Sequence, residues 1–391
     1  MLLQKPAFLY NLLVMQNDSC CRNAVQGEDF APCAGELNAK NLPEYFGYNI
    51  EDFERNAENC QIKPLPFSIS PAYFEQMQNL YQSGKIEDFK ALQRQIIPSP
   101  DEFSIKPYEI SDPLGAHRYQ VTERLVHQYK NRCLLISTGA CFANCRHCFR
   151  RASQVRQMPF ISAPQIEEVC RYLSAHTEVK EILVSGGDCL TASDKVLFNL
   201  LQKLRAVRSD LIIRIGTRAP VFAPWRFTGE LLQKLSELRP LWIIPHINHP
   251  AELSAKTIGA LNAIINSGIP MQSQTVLLRG VNNSLQTLTE LFTRLATLGV
   301  RPGYLFQGDL APGTAYLRTN IEESLQLYEE LRKELSGLSL PVFAVDLPNG
   351  GGKFNLLQLS ADFMKYTVEK KSEEYVFNGK DGETWRYPIE Q

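Results

Sequence analysis

The stretch Thr138-Gly-Ala-Cys141-Phe-Ala-Asn-Cys145-Arg-His-Cys148-Phe-Arg-Arg151 carries three cysteines with the spacing C-x-x-x-C-x-x-C. The other cysteines are scattered, at positions 20, 21, 33, 60, 133, 170 and 189. A structural zinc site needs four ligands, and no second pair of suitable spacing is present. Three closely packed thiols, without a recognisable secretion signal, disfavour disulfides. The spacing therefore favours an iron–sulfur cluster in which one of four irons keeps an open position for a substrate.

The cysteine loop follows the first of several short apolar runs that alternate with longer amphipathic segments. The candidate strands cover residues 133–137, 181–184, 211–215, 241–245, 272–277, 304–306 and 341–345. The candidate helices lie near 163–176, 194–207, 228–238, 251–267, 285–298 and 321–336. This alternation is typical of right-handed βαβ units and a parallel sheet. It predicts a closed or open α/β barrel with its active site at the carboxyl ends of the strands.

An unusual motif follows each candidate strand, which places the reactive residue types at one edge of the predicted sheet. After the cysteine loop these motifs are Ser185-Gly-Gly-Asp188, Gly216-Thr-Arg-Ala-Pro220, His246-Ile-Asn-His-Pro250, Leu278-Arg-Gly280, Gln307-Gly-Asp309 and Asp346-Leu-Pro-Asn-Gly-Gly-Gly-Lys353. The last motif is not a Walker A phosphate loop, because Leu347 replaces the first glycine and Phe354 follows the lysine.

The cysteine triplet, with Arg146-His147 and Phe149-Arg150-Arg151 beside it, resembles the lysine 2,3-aminomutase branch of the radical S-adenosylmethionine (SAM) superfamily. The resemblance runs from about residue 65 to residue 357. It implies a partial (β/α)6 TIM-like barrel that binds a 4Fe–4S cluster, SAM and pyridoxal 5′-phosphate (PLP). In such enzymes SAM chelates the open iron and is cleaved to a 5′-deoxyadenosyl radical. That radical takes a hydrogen atom from the substrate, and an amino group then moves from C2 to C3.

The resemblance implies SAM-binding residues at several strand ends. These residues are Ser185, Gly186, Gly187, Asp188, His246 and Gln274. The first four match the superfamily's Gly-Gly-Glu motif, with Asp188 in the acidic place, although a Gly-Gly pair alone would more often be only a turn. We expect a structural role for His249. For Arg218 the sequence leaves two roles open, an interior salt bridge and a contact with SAM.

The resemblance also assigns Lys353 as the residue that forms a Schiff base with PLP, whereas a lone lysine after glycines usually lies in a solvated turn. Asn349 interrupts the family's glycine run, a mild change because asparagine tolerates left-handed backbone. Tyr129 and Arg132 match the family's grip on the PLP phosphate. Gln128 stands there in place of a basic residue.

Charge suggests how a substrate would be recognised. Arg150 matches the family arginine that binds the α-carboxylate, and Asp309 and Asp346 match two aspartates that hold the ε-ammonium of lysine. Either aspartate alone would more often cap a strand end. Together they favour lysine over an acidic substrate, whose carboxylate they would repel.

Three functions stay open from the sequence. The first is an isomerase that converts free L-lysine to β-lysine, favoured by Lys353 and the two aspartates. The second is an aminomutase that acts on a lysine of translation elongation factor P, favoured by Thr138-Gly-Ala-Cys141 and Cys148-Phe-Arg-Arg151. The third is a non-catalytic iron–sulfur protein, which would need neither Lys353 nor paired aspartates.

Composition and organisation complete the expectations. A net charge of −1, with 44% hydrophobic and 21% charged residues, excludes a polybasic nucleic-acid or membrane binder. No apolar run is long enough to span a membrane, and an oxygen-sensitive cluster favours a cytoplasmic protein. We expect an irregular extension over residues 1–42, a helical segment over 43–126, the barrel over 127–357, and a tail with a hairpin over 358–391. The expected partners are a small-molecule amino acid, a flavodoxin- or ferredoxin-type electron donor, and a second copy of the chain.

Overall fold

A ten-stranded sheet organises the protein, and its strand order follows the chain from β1 to β10. The computed structural model describes residues 44–47, 53, 64–356, 366–379 and 382–389. The strands are β1 (Gln120–Thr122), β2 (Leu125–Tyr129), β3 (Arg132–Thr138), β4 (Glu181–Gly186), β5 (Ile212–Thr217), β6 (Leu241–Pro245), β7 (Met271–Val276), β8 (Val300–Phe306), β9 (Val342–Leu347) and β10 (Gly352–Asn355). Neighbours from β3 to β9 are parallel, whereas β1, β2 and β10 run antiparallel at the two edges. Among the described strands β1 does not pair with β10, so the barrel is open.

Helices connect the parallel strands. The helices are α1 (Pro71–Gln82), α2 (Ile86–Ile96), α3 (Ala163–Ala175), α4 (Asp194–Val207), α5 (Ala219–Phe222), α6 (Gly229–Glu237), α7 (Ala255–Asn266), α8 (Leu285–Thr297) and α9 (Ile321–Glu334). Six of them (α3, α4, α6, α7, α8 and α9) form the crossovers between β3 and β9. The predicted partial (β/α)6 barrel is confirmed, with β9 as a seventh parallel strand.

The helix boundaries follow local capping and the sheet core follows period-two burial. Ser193, Ser254 and Ser284 each accept a backbone N–H at the start of a crossover helix, which satisfies a donor that the first turn leaves free. On β4, Ile182 and Val184 are fully buried, while the alternate residues are only partly buried. The crossover helices therefore pack against one face of the sheet, and its other face lines the barrel interior.

The segment expected to be helical up to residue 126 contains two strands as well as α1 and α2. β1 and β2 occupy its last part, and Leu125 and Val126 lie opposite Leu135 and Leu134 of β3. Both Leu125 and Val126 are buried by this pairing. The sheet thus begins before residue 127, in a segment where helix-period reasoning gave no signal for a strand.

The tail forms a three-stranded antiparallel sheet of β11 (Tyr366–Lys370), β12 (Glu374–Gly379) and β13 (Thr384–Pro388). The expected hairpin corresponds to β12 and β13, and β11 adds a third strand. The expectation for residues 1–42 lies outside the described residues. Within the described part of the chain, no helix is both long and apolar enough to cross a membrane.

Candidate active site

The three cysteines of the predicted cluster lie in one loop after β3. Cys141, Cys145 and Cys148 are free thiols and partly buried. Backbone hydrogen bonds hold the loop to distant segments, from Asn144 N–H to the Ser68 carbonyl at 3.0 Å and from Arg146 N–H to the Gln95 carbonyl at 2.8 Å. The loop is therefore fixed from the N-terminal helices as well as from the barrel.

Arginine side chains donate to two of the cysteine sulfurs. Arg156 Nη1 lies 3.4 Å from Cys141 Sγ, and Arg218 Nη1 lies 2.9 Å from Cys145 Sγ. Burial raises the pKa of the Cys141 thiol to about 12, and Arg156 opposes this shift. Burial likewise raises the pKa of Cys145, against the opposing effect of Arg218. Buried thiolates therefore need positive partners, which iron and these two guanidinium groups would supply.

The donor set fits an iron–sulfur cluster better than a single metal ion. Within the described residues, no three His, Cys, Asp or Glu side chains converge on one point as ligands of a single ion must. In a four-iron cluster each cysteine binds a different iron, so the sulfurs need not meet at one point. Three thiols in one loop, with arginine donors behind them, match that arrangement.

Arg218 is part of a buried charged network. Its Nη2 forms an ion pair with Glu252 Oε1 at 2.5 Å and lies 3.3 Å from Gln95 Oε1. Burial alone would lower the pKa of Arg218, but Cys145 and Glu252 raise it above its ordinary value. The structure thus gives Arg218 an interior salt bridge and, in addition, a contact with a cluster cysteine.

A second buried network lies beneath the cysteine loop and was missed by sequence reasoning. Glu102 accepts hydrogen bonds from both Arg146 and Arg151, with Arg146 Nε at 2.8 Å from Glu102 Oε1. Burial alone would raise the pKa of Glu102, but the two arginines lower it below its ordinary value. Glu102 is 44 positions before Arg146, and no local pattern signals the contact.

Gly186 and Gly187, at the end of β4, allow this strand end to lie against the cysteine loop. A Cβ on Gly187 would come within 2.0 Å of the Ala140 carbonyl oxygen, and Gly186 has a positive φ of 110°. Neither position tolerates a side chain without displacing the backbone. Ser185, the preceding residue, is partly exposed, and its carbonyl accepts the Ser137 hydroxyl of β3 at 2.8 Å.

The carboxylate of Asp188 accepts hydrogen bonds from donors within the protein. Its Oδ2 accepts from Thr217 Oγ1 at 2.7 Å and from the Arg218 N–H at 3.0 Å, and its Oδ1 accepts from the Leu190 N–H at 3.1 Å. Burial raises the pKa of this carboxyl above its ordinary value. The geometry gives Asp188 a positioning role that links the ends of β4 and β5, and its predicted contact with SAM stays a prediction.

His246, immediately after β6, and Gln274, within β7, form a parallel bridge. His246 Nε2 lies 2.9 Å from Asn248 Oδ1. Burial and the nearby Arg218 lower the pKa of His246 to about 3, so the imidazole is neutral. His249 accepts the Ala251 N–H at 3.1 Å through Nδ1 and so caps a turn, a structural role.

Lys353 lies opposite Asp346 in the β9–β10 pairing. Its Nζ is 3.0 Å from Asp346 Oδ1 and 2.9 Å from Oδ2. The same ammonium lies 3.9 Å from the centre of the Phe306 ring and 5.1 Å from that of Tyr304. The lysine is thus a partly buried amine between one carboxylate and two aromatic rings.

The lysine loop, residues 347–353, contains a left-handed residue where asparagine replaces a glycine of the family pattern. Asn349 has φ 54° and ψ 33°, the left-handed conformation that asparagine tolerates. Gln128 Nε2 donates to the Gly350 carbonyl at 3.0 Å, and Tyr129 Oη accepts the Lys353 N–H at 2.8 Å. Gln128 therefore supports the loop through a neutral hydrogen bond where the family pattern has a cation.

Arg132 stacks on Tyr129, with its guanidinium carbon 3.9 Å from the ring centre. Its Nη1 donates to the neutral Asn131 Oδ1 at 3.3 Å, and no carboxylate pairs with the guanidinium among the described residues. A cation without a counterion, next to the loop that carries Lys353, fits a bound phosphate. The structure brings Tyr129, Arg132 and Lys353 together, and their binding of PLP stays a prediction.

Arg150 and Asp309 complete this side of the site. Burial lowers the pKa of Arg150, although Cys148, Asp112 and Asp309 oppose the shift. Burial, reinforced by the neighbouring Asp346 carboxylate, raises the pKa of Asp309 to about 7. Arg150 thus lies within electrostatic range of both the cysteine loop and the aspartates, and within the described chain its guanidinium forms no ion pair.

Known proteins resemble this chain over most of its length. A family model described as the Radical SAM superfamily matches residues 135–292. A protein of Treponema pallidum (strain Nichols) named "Putative L-lysine 2,3-aminomutase" is 48% identical over 331 residues, which cover 85% of this chain and 92% of that protein. The L-lysine 2,3-aminomutase of Clostridium subterminale is 32% identical over 350 residues, which cover 89% of this chain and 81% of that protein.

Two further similarities are weaker. The glutamate 2,3-aminomutase of Clostridioides difficile (strain 630) is 34% identical over 246 residues, which cover 63% of this chain and 58% of that protein. The solved structure of Streptococcus suis SuiB bound to S-adenosylmethionine covers 54% of this chain and 45% of its own chain, with 14% identity and a TM-score of 0.39.

Proposed function

Because the chain belongs to the lysine 2,3-aminomutase family of the radical SAM superfamily, we propose that it moves the α-amino group of free L-lysine to C3 to give β-lysine. One observation carries the choice of substrate. The buried guanidinium of Arg150 interacts electrostatically with the Cys148 thiol and with the Asp309 carboxylate. The residue proposed for the α-carboxylate is therefore close enough to interact with both the cysteine loop and a carboxylate proposed for the distal ammonium.

The family uses a 4Fe–4S cluster, SAM and PLP. When bound, the cluster and SAM supply a carbon-centred radical that removes a hydrogen atom, and PLP carries the migrating nitrogen. Cys141, Cys145 and Cys148 would hold the cluster, and Ser185, Gly186, Gly187, His246 and Gln274 line the adjacent strand ends where SAM would lie. Lys353, Tyr129 and Arg132 would hold PLP. The contribution of the chain is to position these groups and exclude water.

Two charged ends of the substrate have complementary partners. Arg150 would bind the α-carboxylate through paired hydrogen bonds, which suit a planar guanidinium. Asp309 and Asp346 would bind the ε-ammonium in a site where burial strengthens the attraction. Glutamate would place its second carboxylate against the same aspartates, so the charge pattern favours lysine.

Asp346 also has a resident partner. It neutralises the ammonium of Lys353, at 2.9–3.0 Å. A lysine substrate would therefore compete with Lys353 for Asp346, whereas Asp309 has no such cation bonded to its carboxylate in the described residues. We assign Asp309 the larger part in binding the ε-ammonium.

The remaining expectations join the proposal. A flavodoxin- or ferredoxin-type protein would deliver the electron that the cluster needs. A reducing cytoplasm suits an oxygen-sensitive cluster. Self-association of the chain stays a prediction, which the sedimentation of the reconstituted protein would test.

The deciding experiment compares substrates under anaerobic conditions. Reconstituted protein receives SAM, PLP and a reductant with free lysine, glutamate or purified elongation factor P. Because the product is an isomer of the same mass, it is separated by chromatography and identified by its fragmentation in the mass spectrometer. We expect β-lysine from free lysine alone. Product on factor P without product from free lysine would favour the protein-lysine reading, which Thr138-Gly-Ala-Cys141 and Cys148-Phe-Arg-Arg151 support.

A variant of Lys353 tests whether the loss of product can be separated from the loss of the cluster. Lys353→Arg keeps a cation beside Asp346 but removes the primary amine that PLP requires. We expect this variant to keep the iron content and visible absorbance of its cluster and to form no β-lysine. A variant that loses the cluster as well would show that Lys353 has been misassigned.

A further inference from the structure

The tail sheet, β11–β13, contacts the barrel on the side of Lys353 and Asp309. Tyr387 of β13 is fully buried, and its hydroxyl donates a short hydrogen bond to the carbonyl of Gly308. Trp385 of the same strand is also buried and lies against the lysine loop. A Cβ added to Gly351 would be 2.7 Å from Cδ1 of this indole.

A third contact comes from β12. The ring of Phe377 meets the ring of Phe354 edge to face, with 5.1 Å between the centres. Gly351 and Phe354 flank Lys353 in sequence, and Gly308 immediately precedes Asp309. The tail sheet therefore touches the chain on both sides of Lys353 and next to Asp309.

The outer parts of the tail sheet are anchored to different parts of the molecule. Tyr375 donates to Glu322 Oε1 of α9 at 3.1 Å. Near the start of β13, Arg118 pairs with Glu383 at 3.0 Å and donates to the Asn349 carbonyl at 2.6 Å. The sheet is thus fastened both to the helix that precedes β9 and to the lysine loop.

We propose that the tail sheet is a positioning clamp that fixes the separation between Asp309 and Lys353. The lysine loop follows β9 and Asp309 follows β8, and β13 contacts both. A substrate whose ammonium is bound by Asp309 must also reach the PLP that Lys353 would hold. A displacement of about 1 Å between reacting groups lowers the rate by a large factor. The clamp rests on the proposed function for the identity of the substrate that carries the ammonium. The contacts of the tail sheet with the barrel do not depend on that function.

Simple covering of the core does not account for the Tyr387 contact. Covering apolar surface needs a ring, which phenylalanine would supply equally well. The hydroxyl adds a directional bond to one carbonyl, and a directional bond fixes a loop in a way that apolar contact does not.

The first test uses Tyr387→Phe in the holoenzyme with PLP but without SAM, so that no turnover occurs. Binding of L-lysine and of L-norleucine, which has the same chain length without the ammonium, is followed by the change in the visible absorbance of PLP. Because Asp309 would no longer be fixed in position, we expect lysine affinity about fivefold weaker, with norleucine affinity unchanged. An equal loss for both ligands, or no loss for lysine, would overturn the clamp.

The matched control is Arg386→Gln. Arg386 lies between Trp385 and Tyr387 on the exposed face of β13, where it pairs with Glu374. We expect this variant to bind both ligands as the parent protein does. A loss of lysine affinity equal to that of Tyr387→Phe would show that β13 acts only through its general stability.

A second measurement separates the clamp from the identity of the substrate. Hydrogen exchange of the holoenzyme without amino acid should show faster exchange at residues 307–310 in Tyr387→Phe, with residues 349–353 unchanged. Trp385→Phe should loosen residues 349–353 instead. If lysine fails to bind the parent protein, the proposed substrate is wrong while this exchange pattern still supports the clamp. Unchanged exchange at 307–310 in Tyr387→Phe would overturn the clamp whatever the substrate is.

Discussion

The two halves of the site differ in how their charges are neutralised. In the cluster half, which comprises the three cysteines, Asp188 and Arg218, protein partners satisfy the carboxylate of Asp188, and Arg218 pairs with Glu252. In the lysine half, which comprises Arg150, Asp309, Asp346 and Lys353, the described residues provide one ion pair, between Lys353 and Asp346. Arg150 and Asp309 form none there.

The difference indicates where a cofactor is held permanently and where a substrate binds and is released. A bound cofactor can be held by a fixed network whose charges are already balanced. A site for a charged substrate must keep unbalanced charges, at the cost of shifted pKa values such as that of Asp309. The cluster half thus keeps its charges in a fixed network, whereas Arg150 and Asp309 of the lysine half keep charges available for a substrate.

The largest effects should come from substitutions that remove the cofactor of one half and leave that of the other half in place. Cys145→Ser should lose iron and all turnover because one cluster ligand is gone, yet keep the visible absorbance of PLP on Lys353. Lys353→Ala should do the reverse and keep the iron. Iron analysis and absorbance spectra of the two proteins check this. Loss of both groups in either variant would mean that the halves are not independent.

Asp309→Asn should weaken lysine binding without disturbing the cluster. The loss of a charge-assisted hydrogen bond of about 1.5–3 kcal/mol corresponds to about 10- to 100-fold in affinity. Norleucine binding should change little because it has no ammonium. A calorimetric titration of holoenzyme without SAM gives both values, and an unchanged lysine affinity would remove Asp309 from the substrate site.

The same carboxyl predicts a pH dependence. Because the pKa of Asp309 is raised to about 7, the group is neutral below that pH and charged above it. Lysine affinity should therefore rise as pH increases through about 7, until other groups titrate. The rise should be absent in Asp309→Asn. A profile of the dissociation constant against pH that is equally steep in the variant would assign the titration to another group.

Arg218→Lys tests the cluster half with a smaller expected change. Lysine keeps a charge for Glu252 but loses the fork that also reaches Cys145, so one hydrogen bond to the sulfur is lost. We expect a more negative reduction potential of the cluster and turnover lower by about tenfold. Redox titration followed by electron paramagnetic resonance measures the potential, with Arg226→Lys as a buried-arginine control. An unchanged potential would reduce Arg218 to a structural role.

The smallest effects concern packing alone. Gly351→Ala should destabilise the protein by about 1–3 kcal/mol, because the added methyl group meets Leu347 and Trp385. Gly259→Ala, in α7 with no atom within 4 Å of the new Cβ, should stabilise by about 0.5–1 kcal/mol. Urea unfolding midpoints test the pair. Equal effects at the two positions would show that Trp385 does not press on the lysine loop.

Local patterns predicted much of the barrel. The parallel strands and crossover helices have clear periodicity, and the predicted run at 241–245 coincides with β6. The cysteine spacing and Lys353 were visible because each needs only adjacent residues. β1 and β2 were not, because their burial comes from pairing with β3 rather than from a helical period.

Long-range charge pairing could not be predicted. Arg218 meets Glu252 across 34 positions and Cys145 across 73, and Glu102 meets Arg151 across 49. Each of these contacts exists because separate strands and loops converge at one edge of the sheet. The sequence left Arg218 open between two roles for the same reason, since its neighbours in the chain do not reveal its neighbours in space.

Nitrogen tracing tests the proposed reaction most directly. The reconstituted protein is incubated anaerobically with SAM, PLP, a reductant and L-lysine that carries 15N only at the α-amino group, and the position of the label is read by NMR. We predict β-lysine with the label at C3. Complete retention of the label at C2, in protein with full iron content and PLP absorbance, would contradict the proposal that this chain isomerises free lysine.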